Sequence, residues 1–239
     1  MALSQDKLAA LNDQLADCSP VQILRWMRAQ PAWGNVVQFT SFGVSGMVIT
    51  DIMTRLGFLT PIVFVDTLYH FDETLDLKAT VEKVYNRQVL AYGPQTSSDR
   101  STFEEYYGQE LWSKDSEFYH YLTKVEPTGR ALTELEVDVW ITGRRRSQGS
   151  SRASLAVLEV ASDGRIKINP MAHVDWASTW KYVKSAGVPY NKLVDQGYKS
   201  IGDVHSTRPV GHDAPERSGR WSGEFRTECG MHTAVKAAR

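Results

Sequence analysis

Only two of the 239 residues are cysteine, Cys18 and Cys229, so neither a disulfide framework nor a cysteine-rich metal site is available. No stretch approaches the roughly twenty apolar residues of a membrane span, and no apolar run follows basic residues at the amino end. Membrane insertion and secretion are therefore not expected. Charge of one sign is not in excess either: 27 Lys and Arg stand against 28 Asp and Glu. The total offers no polyanion-binding surface, nucleic acid included, and any anion site has to come from local clustering. The Gly-Lys-Ser/Thr of a Walker loop is also missing, which disfavours ordinary P-loop nucleotide hydrolysis. Together these absences point to a soluble protein of a reducing compartment, expected in the cytoplasm.

The length suits one α/β domain with a large core and an appended tail, or two small domains. In residues 3 to 30, Leu8, Leu11, Leu15, Ile23, Leu24 and Met27 recur at helical spacing, with Ser19-Pro20 as an N-cap and first-turn pair. That spacing predicts two short helices. Cys18 falls at their junction with nothing basic close by, and reads as structural. Residues 35 to 40 are a β-rich run ending in Ser41-Phe42-Gly43-Val44-Ser45-Gly46. Behind them Met47, Val48, Ile49, Ile52, Met53 and Leu56 predict a helix that Gly57 stops. Strand, small-residue loop and helix start can turn N–H groups toward an anion, or can be an ordinary βα connection.

Residues 61 to 66, Pro-Ile-Val-Phe-Val-Asp, predict a strand buried on both faces. It ends on Asp66-Thr67, where Asp66 either meets a ligand or caps the next turn. A helix over residues 71 to 85 and a strand over 88 to 92 follow. Residues 102 to 135 read as helical and aromatic, with Lys124, taken bare, a solvated helix-end lysine. A strand over residues 137 to 142 opens into Gly143-Arg144-Arg145-Arg146-Ser147-Gln148-Gly149-Ser150-Ser151-Arg152. Those four arginines can be a solvated charge run, a fold-stabilising network, or forks for phosphate or sulfate oxygens. Residues 155 to 160, turning over Ser162-Asp163-Gly164 into 166 to 168, predict a β-hairpin. Asp175 then caps a helix that Gly187 ends. The alternating βα units predict an α/β fold class, a mainly parallel sheet flanked by helices.

The run from residue 216 to 232, Glu-Arg-Ser-Gly-Arg-Trp-Ser-Gly-Glu-Phe-Arg-Thr-Glu-Cys-Gly-Met-His, is too rich in Gly, Ser and charge to be a core strand or an amphipathic helix. Its cysteine, Cys229, has Arg217, Arg220, Arg226 and His232 nearby in sequence. Cations favour the thiolate, the reactive form. Read locally, Cys229 is either such a thiolate or a free surface thiol near a terminus.

The Ser41-Phe42-Gly43 loop, Thr142-Gly-Arg-Arg-Arg-Ser-Gln148, Thr207-Arg-Pro209 and Arg217-Ser-Gly-Arg-Trp221 with Glu228-Cys-Gly-Met-His232 resemble, in order, the motifs of the sulfonucleotide reductases. The likeness runs from about residue 36 to 232. It implies a fold like that of the adenine nucleotide alpha hydrolases, with N-terminal helices over 1–34, a nucleotide-binding domain over 35–209 and a mobile catalytic tail over 210–239. It implies reduction of 3′-phosphoadenylyl sulfate to sulfite and adenosine 3′,5′-bisphosphate, with thioredoxin as electron donor, in sulfate assimilation toward cysteine and methionine. Cys229 would be the nucleophile. Ser41, Phe42, Gly43, Ser45 and Gly46 would hold the nucleotide, with Asp66 and Thr67 near adenosine. Lys124, Arg217 and Arg220 would meet the reacting anion, with Gly143, Arg145, Arg146 and Arg152 as further substrate-binding candidates.

Relatives are commonly homodimers. A sister group acting on adenylyl sulfate usually carries an iron-sulfur cluster on two cysteine pairs. Those positions are Tyr119, His120, Asp203 and Ser206 in this chain, which do not supply the four thiolates a cluster wants. No cluster and no metal are expected, and the 3′-phosphorylated substrate is favoured, with adenylyl sulfate as the alternative. Two other classes remain. One is an ATP-dependent adenylating enzyme of the same superfamily, against which the altered loop argues. The other is a nucleotide-binding or redox-sensing protein in which Cys229 merely responds to oxidation.

Overall fold

The computed structural model describes residues 3–30, 33–221, 228 and 230–232. Cys229 and Arg226 lie outside the described residues. At the amino end, α1 (Gln5–Leu15) and α2 (Pro20–Arg28) follow the apolar spacing. Ser19 caps α2 in a reciprocal box with Gln22, and Pro20 occupies the first turn, where its missing N–H costs nothing. Leu15, Ile23, Leu24 and Met27 are buried in the main core, so these helices are part of the packed body.

The described residues form a six-stranded sheet in the order β3-β2-β1-β4-β6-β5, of β1 (Asn35–Phe39), β2 (Ile62–Val65), β3 (Val89–Tyr92), β4 (Val137–Ile141), β5 (Leu158–Val160) and β6 (Ile166–Ile168). All neighbours are parallel except the β5–β6 hairpin. Period-two alternation divides the core: Ile62 and Phe64 face α3 (Val44–Arg55), whereas Val63 and Val65 join the cluster that includes Ala131 and Leu132 of α8 (Glu126–Glu134). Both faces are thus covered, as a parallel sheet requires. α4 (Asp72–Tyr85) and α9 (Trp176–Ala186) are tied to α3 by one buried carboxylate, Asp51, which accepts from Tyr85 at 3.2 Å and Tyr182 at 2.8 Å.

Two expectations were too simple. The strand of the hairpin begins at Leu158, not Leu155, because Leu155 closes a turn onto the Arg152 carbonyl and its side chain anchors the loop in the core. The helical stretch over residues 102 to 135 is broken into α5 (Arg100–Tyr107), α6 (Leu111–Lys114), α7 (Ser116–His120) and α8. Gly108, at φ 84°, ends α5, and Asp115 caps α7 by accepting from the Phe118 N–H at 3.0 Å. Between α7 and α8 a single π-turn (Tyr121–Val125) intervenes, closed by the Glu126 N–H on the Tyr121 carbonyl just ahead of Pro127. Such widened turns rotate the face a helix presents and recur at functional sites. Lys124 sits inside this one and is buried, not solvated.

The order in which the strands are laid down positions the site. The chain runs from β1 outward to β2 and β3, then returns to place β4 on the other side of β1. The loops leaving β1 and β4 therefore abut at the carboxyl ends of the strands, at the point where an open α/β sheet forms its crevice. A Cβ on Gly143 would lie 2.9 Å from the Gly46 nitrogen, so the contact is backbone against backbone. Gly143→Ala should lower stability by about 1–3 kcal/mol, read as the urea midpoint. An unchanged midpoint would show that the two loops can part freely.

Candidate active site

The crevice holds a cavity of about 200 Å³ lined by Thr40, Ser41, Phe42, Gly43, Ser45 and Gly46 from the β1 exit and by Gly143, Arg144, Arg145 and Arg152 from the β4 exit. Thr67, His70, Lys124, Lys199, Asp203, Arg217, Arg220 and His232 also reach it. At its floor the N-cap of α3 is Gly43, which has no side chain to accept from the first-turn amides. Those N–H groups and the positive end of the helix dipole are left for a ligand, the ordinary arrangement for an anion. Thr40 Oγ1 accepts from the Phe42 N–H at 2.9 Å and holds Phe42 at φ 58°, which shapes the turn into the helix.

The arginines of the β4 loop divide. Arg145, 1% exposed, donates from Nε to Ser45 at 2.7 Å and from both terminal nitrogens to Glu216, so it links the two loops to the tail. Arg152 makes a two-pronged contact with Glu228, at 2.5 and 2.7 Å, and Arg217 lies 3.5 Å from the same carboxylate. Burial lowers the Arg144 guanidinium, which pairs with Glu159. Arg146 is exposed and donates to the Leu155 carbonyl at 2.7 Å, away from the cavity. The run of four is thus a network and a cavity lining at once, with one member outside it.

Opposite the arginines is a second buried charge centre. Asp203, 1% exposed, accepts from Thr67 Oγ1 at 2.8 Å, from Tyr119 Oη at 3.1 Å and from the Lys124 ammonium. Burial alone would raise its carboxyl, but Lys124, His70 and His205 outweigh that and hold it well below the usual range. The neighbouring imidazoles are lowered as well, which for them means loss of charge. Burial depresses His70, brings His205 down to about 4, and lowers His232, which Arg144 and Arg152 depress further. These rings are neutral near pH 7, so the fixed cations of the cavity are its lysines and arginines.

The structure brings Ser41, Phe42, Gly43, Ser45, Gly46, Thr67, Lys124, Gly143, Arg145, Arg152, Arg217 and Arg220 to one cavity. It leaves Arg146 and Asp66 outside: Asp66 Oδ1 accepts from the Leu68 N–H at 2.9 Å, the turn-capping alternative. Cys229 lies outside the described residues, but its neighbours on both sides are placed. Glu228 pairs with Arg152, and Met231 and His232 line the cavity, with the His232 carbonyl accepting from Lys167 at 2.9 Å. Sequence reasoning missed His70, Lys199, Glu216 and the pairing of Asp203 with Thr67, Tyr119 and Lys124. Glu216 meets Arg145 71 residues away in the chain and Asp203 meets Thr67 136 residues away, so no local signal marks them. Among the described residues no group of three or more His, Cys, Asp or Glu side chains is placed to hold a metal ion.

The fold is shared with solved structures. A Candida auris phosphoadenylyl-sulfate reductase, crystallised with phosphate, superposes with a TM-score of 0.80 at 41% identity, covering 87% of this chain and 99% of that one. A Candida glabrata FMN adenylyltransferase superposes at 0.60 with 14% identity, covering 95% of this chain and 79% of that one, a likeness of fold alone. Phosphoadenosine phosphosulfate reductases of Emericella nidulans and Saccharomyces cerevisiae are 43% and 39% identical to this chain. Those alignments cover 97% and 99% of the chain and 77% and 94% of the relatives. The model of the phosphoadenosine phosphosulfate reductase domain matches residues 35–209, and the chain belongs to that family.

Proposed function

We propose that the protein reduces 3′-phosphoadenylyl sulfate to sulfite and adenosine 3′,5′-bisphosphate, with Cys229 as nucleophile and thioredoxin as reductant. The observation that carries the reading is the cavity at the β1/β4 crevice. An uncapped helix N-terminus and the side chains of Lys124, Arg145, Arg152, Arg217 and Arg220 converge there on a space of nucleotide-phosphate scale. Ser41 to Gly46 would cradle the nucleotide, while Thr67 would border the adenosine side.

In the first step the Cys229 thiolate attacks the sulfur of the sulfuryl group. The sulfur–oxygen bond to the phosphate breaks, and the electron pair leaves with adenosine 3′,5′-bisphosphate. Charge grows on the departing phosphate oxygen, where Lys124, Arg217 and Arg220 offer donors. The protein then carries a thiosulfonate. In the second step a thioredoxin thiolate attacks the Cys229 sulfur, sulfite departs, and the second thioredoxin thiol resolves the mixed disulfide and restores the Cys229 thiolate. Two electrons from the dithiol thus take sulfur from sulfate to sulfite oxidation level. A tail carrying the nucleophile has to close for the first step and open for the second. A cytoplasmic homodimer, with neither cluster nor metal, belongs to the same reading.

The alternative substrate has the names of several relatives in its favour. A Bacillus subtilis relative, 35% identical over 93% of this chain, is named adenosine 5′-phosphosulfate reductase 2. The 3′-phosphorylated substrate remains the better reading, because the more identical relatives carry its name.

With reduced thioredoxin, sulfite release should have the higher kcat/KM for 3′-phosphoadenylyl sulfate. The opposite ratio would replace the substrate and leave the chemistry standing. Cys229→Ser should bind adenosine 3′,5′-bisphosphate as the parent does, yet trap no labelled sulfur when substrate is added without reductant. Sulfite release by that variant at the parental rate removes Cys229 from the mechanism. A parent chain that traps no label is a nucleotide-binding or redox-sensing protein.

A further inference from the structure

Lys124 meets a single hydrogen-bond acceptor among the described residues, Asp203 Oδ2. An ammonium has three donors, so two remain for the cavity that Lys124 lines. Where those two point depends on where the third is held. Asp203 is itself fixed from several directions: Thr67 donates to Oδ1 at 2.8 Å, Tyr119 to Oδ2 at 3.1 Å, and its backbone bridges His70 while the next residue, Val204, donates to the Tyr69 carbonyl at 2.9 Å. The surroundings are apolar and aromatic. Tyr69, Phe103, Leu111 and Tyr119 form a buried cluster, and Trp112 stacks on the His205 ring at 4.6 Å.

A pair of this kind is a poor device for stability, since desolvating two charges consumes most of the attraction between them. It is a good device for aim, because a buried charge with fixed partners has few alternative positions. Lysine needs such a partner more than arginine does: its charge is a point on a four-carbon stem with no fork to orient it.

We propose that Asp203 is a positioning residue for Lys124, holding its ammonium so that two N–H donors face the substrate anion in the cavity. Asp203 touches no reacting atom and acts through the lysine. Tyr119 and Thr67 are the struts that keep the carboxylate in place. The inference rests on the functional reading above, in that Lys124 is taken to meet the substrate.

The test is a double-mutant cycle on kcat/KM for sulfite release, with the urea midpoint of each variant as a check on folding. Asp203→Asn and Lys124→Ala should each lose about 100-fold. The double variant should lose no more than Lys124→Ala alone, because a positioning residue has nothing left to position. Losses that multiply, or an Asp203→Asn enzyme within about twofold of the parent, overturn the proposal. Should Asp203→Asn fail to fold, Tyr119→Phe serves instead. It removes one strut and should lose about fivefold, a loss that disappears in the Lys124→Ala background; persistence of that loss overturns the proposal. A parent chain that releases no sulfite from either nucleotide fails the functional reading. The same cycle is then read as affinity for adenosine 3′,5′-bisphosphate, where additive losses again overturn the role of Asp203.

Discussion

The parallel pairing of β1 with β4 is the constraint on which the rest depends. Because the two strands leave the sheet at the same end while their connections run to opposite sides, the loops that follow cannot close over one another completely. A crevice is the geometric result. The register that pairs Val36 with Val139 and Gln38 with Ile141 fixes how closely the loops meet, down to backbone contact between Gly46 and Gly143. Gln38, buried in β1, donates to the Gly46 carbonyl and to Thr50 at 2.9 Å, which fastens the first turn of α3 to the strand that feeds it. The helix amides are thereby aimed into the crevice before any ligand arrives.

Crowding cations into that crevice creates an electrostatic problem, since like charges a few ångströms apart in a low dielectric repel strongly. The chain solves it with carboxylates from its last third: Asp203 on Lys124, Glu216 on Arg145, and Glu228 on Arg152 and Arg217. The segment that follows α9 therefore completes the charge balance of the cavity. It also explains why a sequence with no net excess of basic residues can hold a strongly basic site: the compensation is local and geometric, invisible in the total. Tyr119 donates to Asp203 in a buried hydrogen bond, so the carboxylate on Lys124 has a partner of its own.

Local signals were legible where a residue's role is decided by its chain neighbours. Ser19-Pro20 and Asp175 cap the helices they precede, and Gly187, at φ 67°, ends α9 because a left-handed residue without Cβ strain was needed there. The apolar run at residues 62–65 is a fully buried central strand. Signals failed where distant partners decide. The bare reading of Lys124 as solvated gave way to burial through a π-turn and a carboxylate 79 residues away. Arg146 and Arg145 are adjacent and chemically alike, yet one faces solvent and the other bridges Ser45 to Glu216.

From its residues alone the chain determined that it forms alternating βα units, that glycine and serine follow β1, that arginines follow β4, and that a lone cysteine stands in a polar tail. Those are consequences of short-range sterics and of periodic burial, which act over a few residues. Only the tertiary structure decided which strand lies beside which, and so which arginines share a cavity, which carboxylate each one meets, and that Asp203 rather than solvent holds Lys124. Charges choose partners by distance in space, and that distance is set by the packing of the whole sheet.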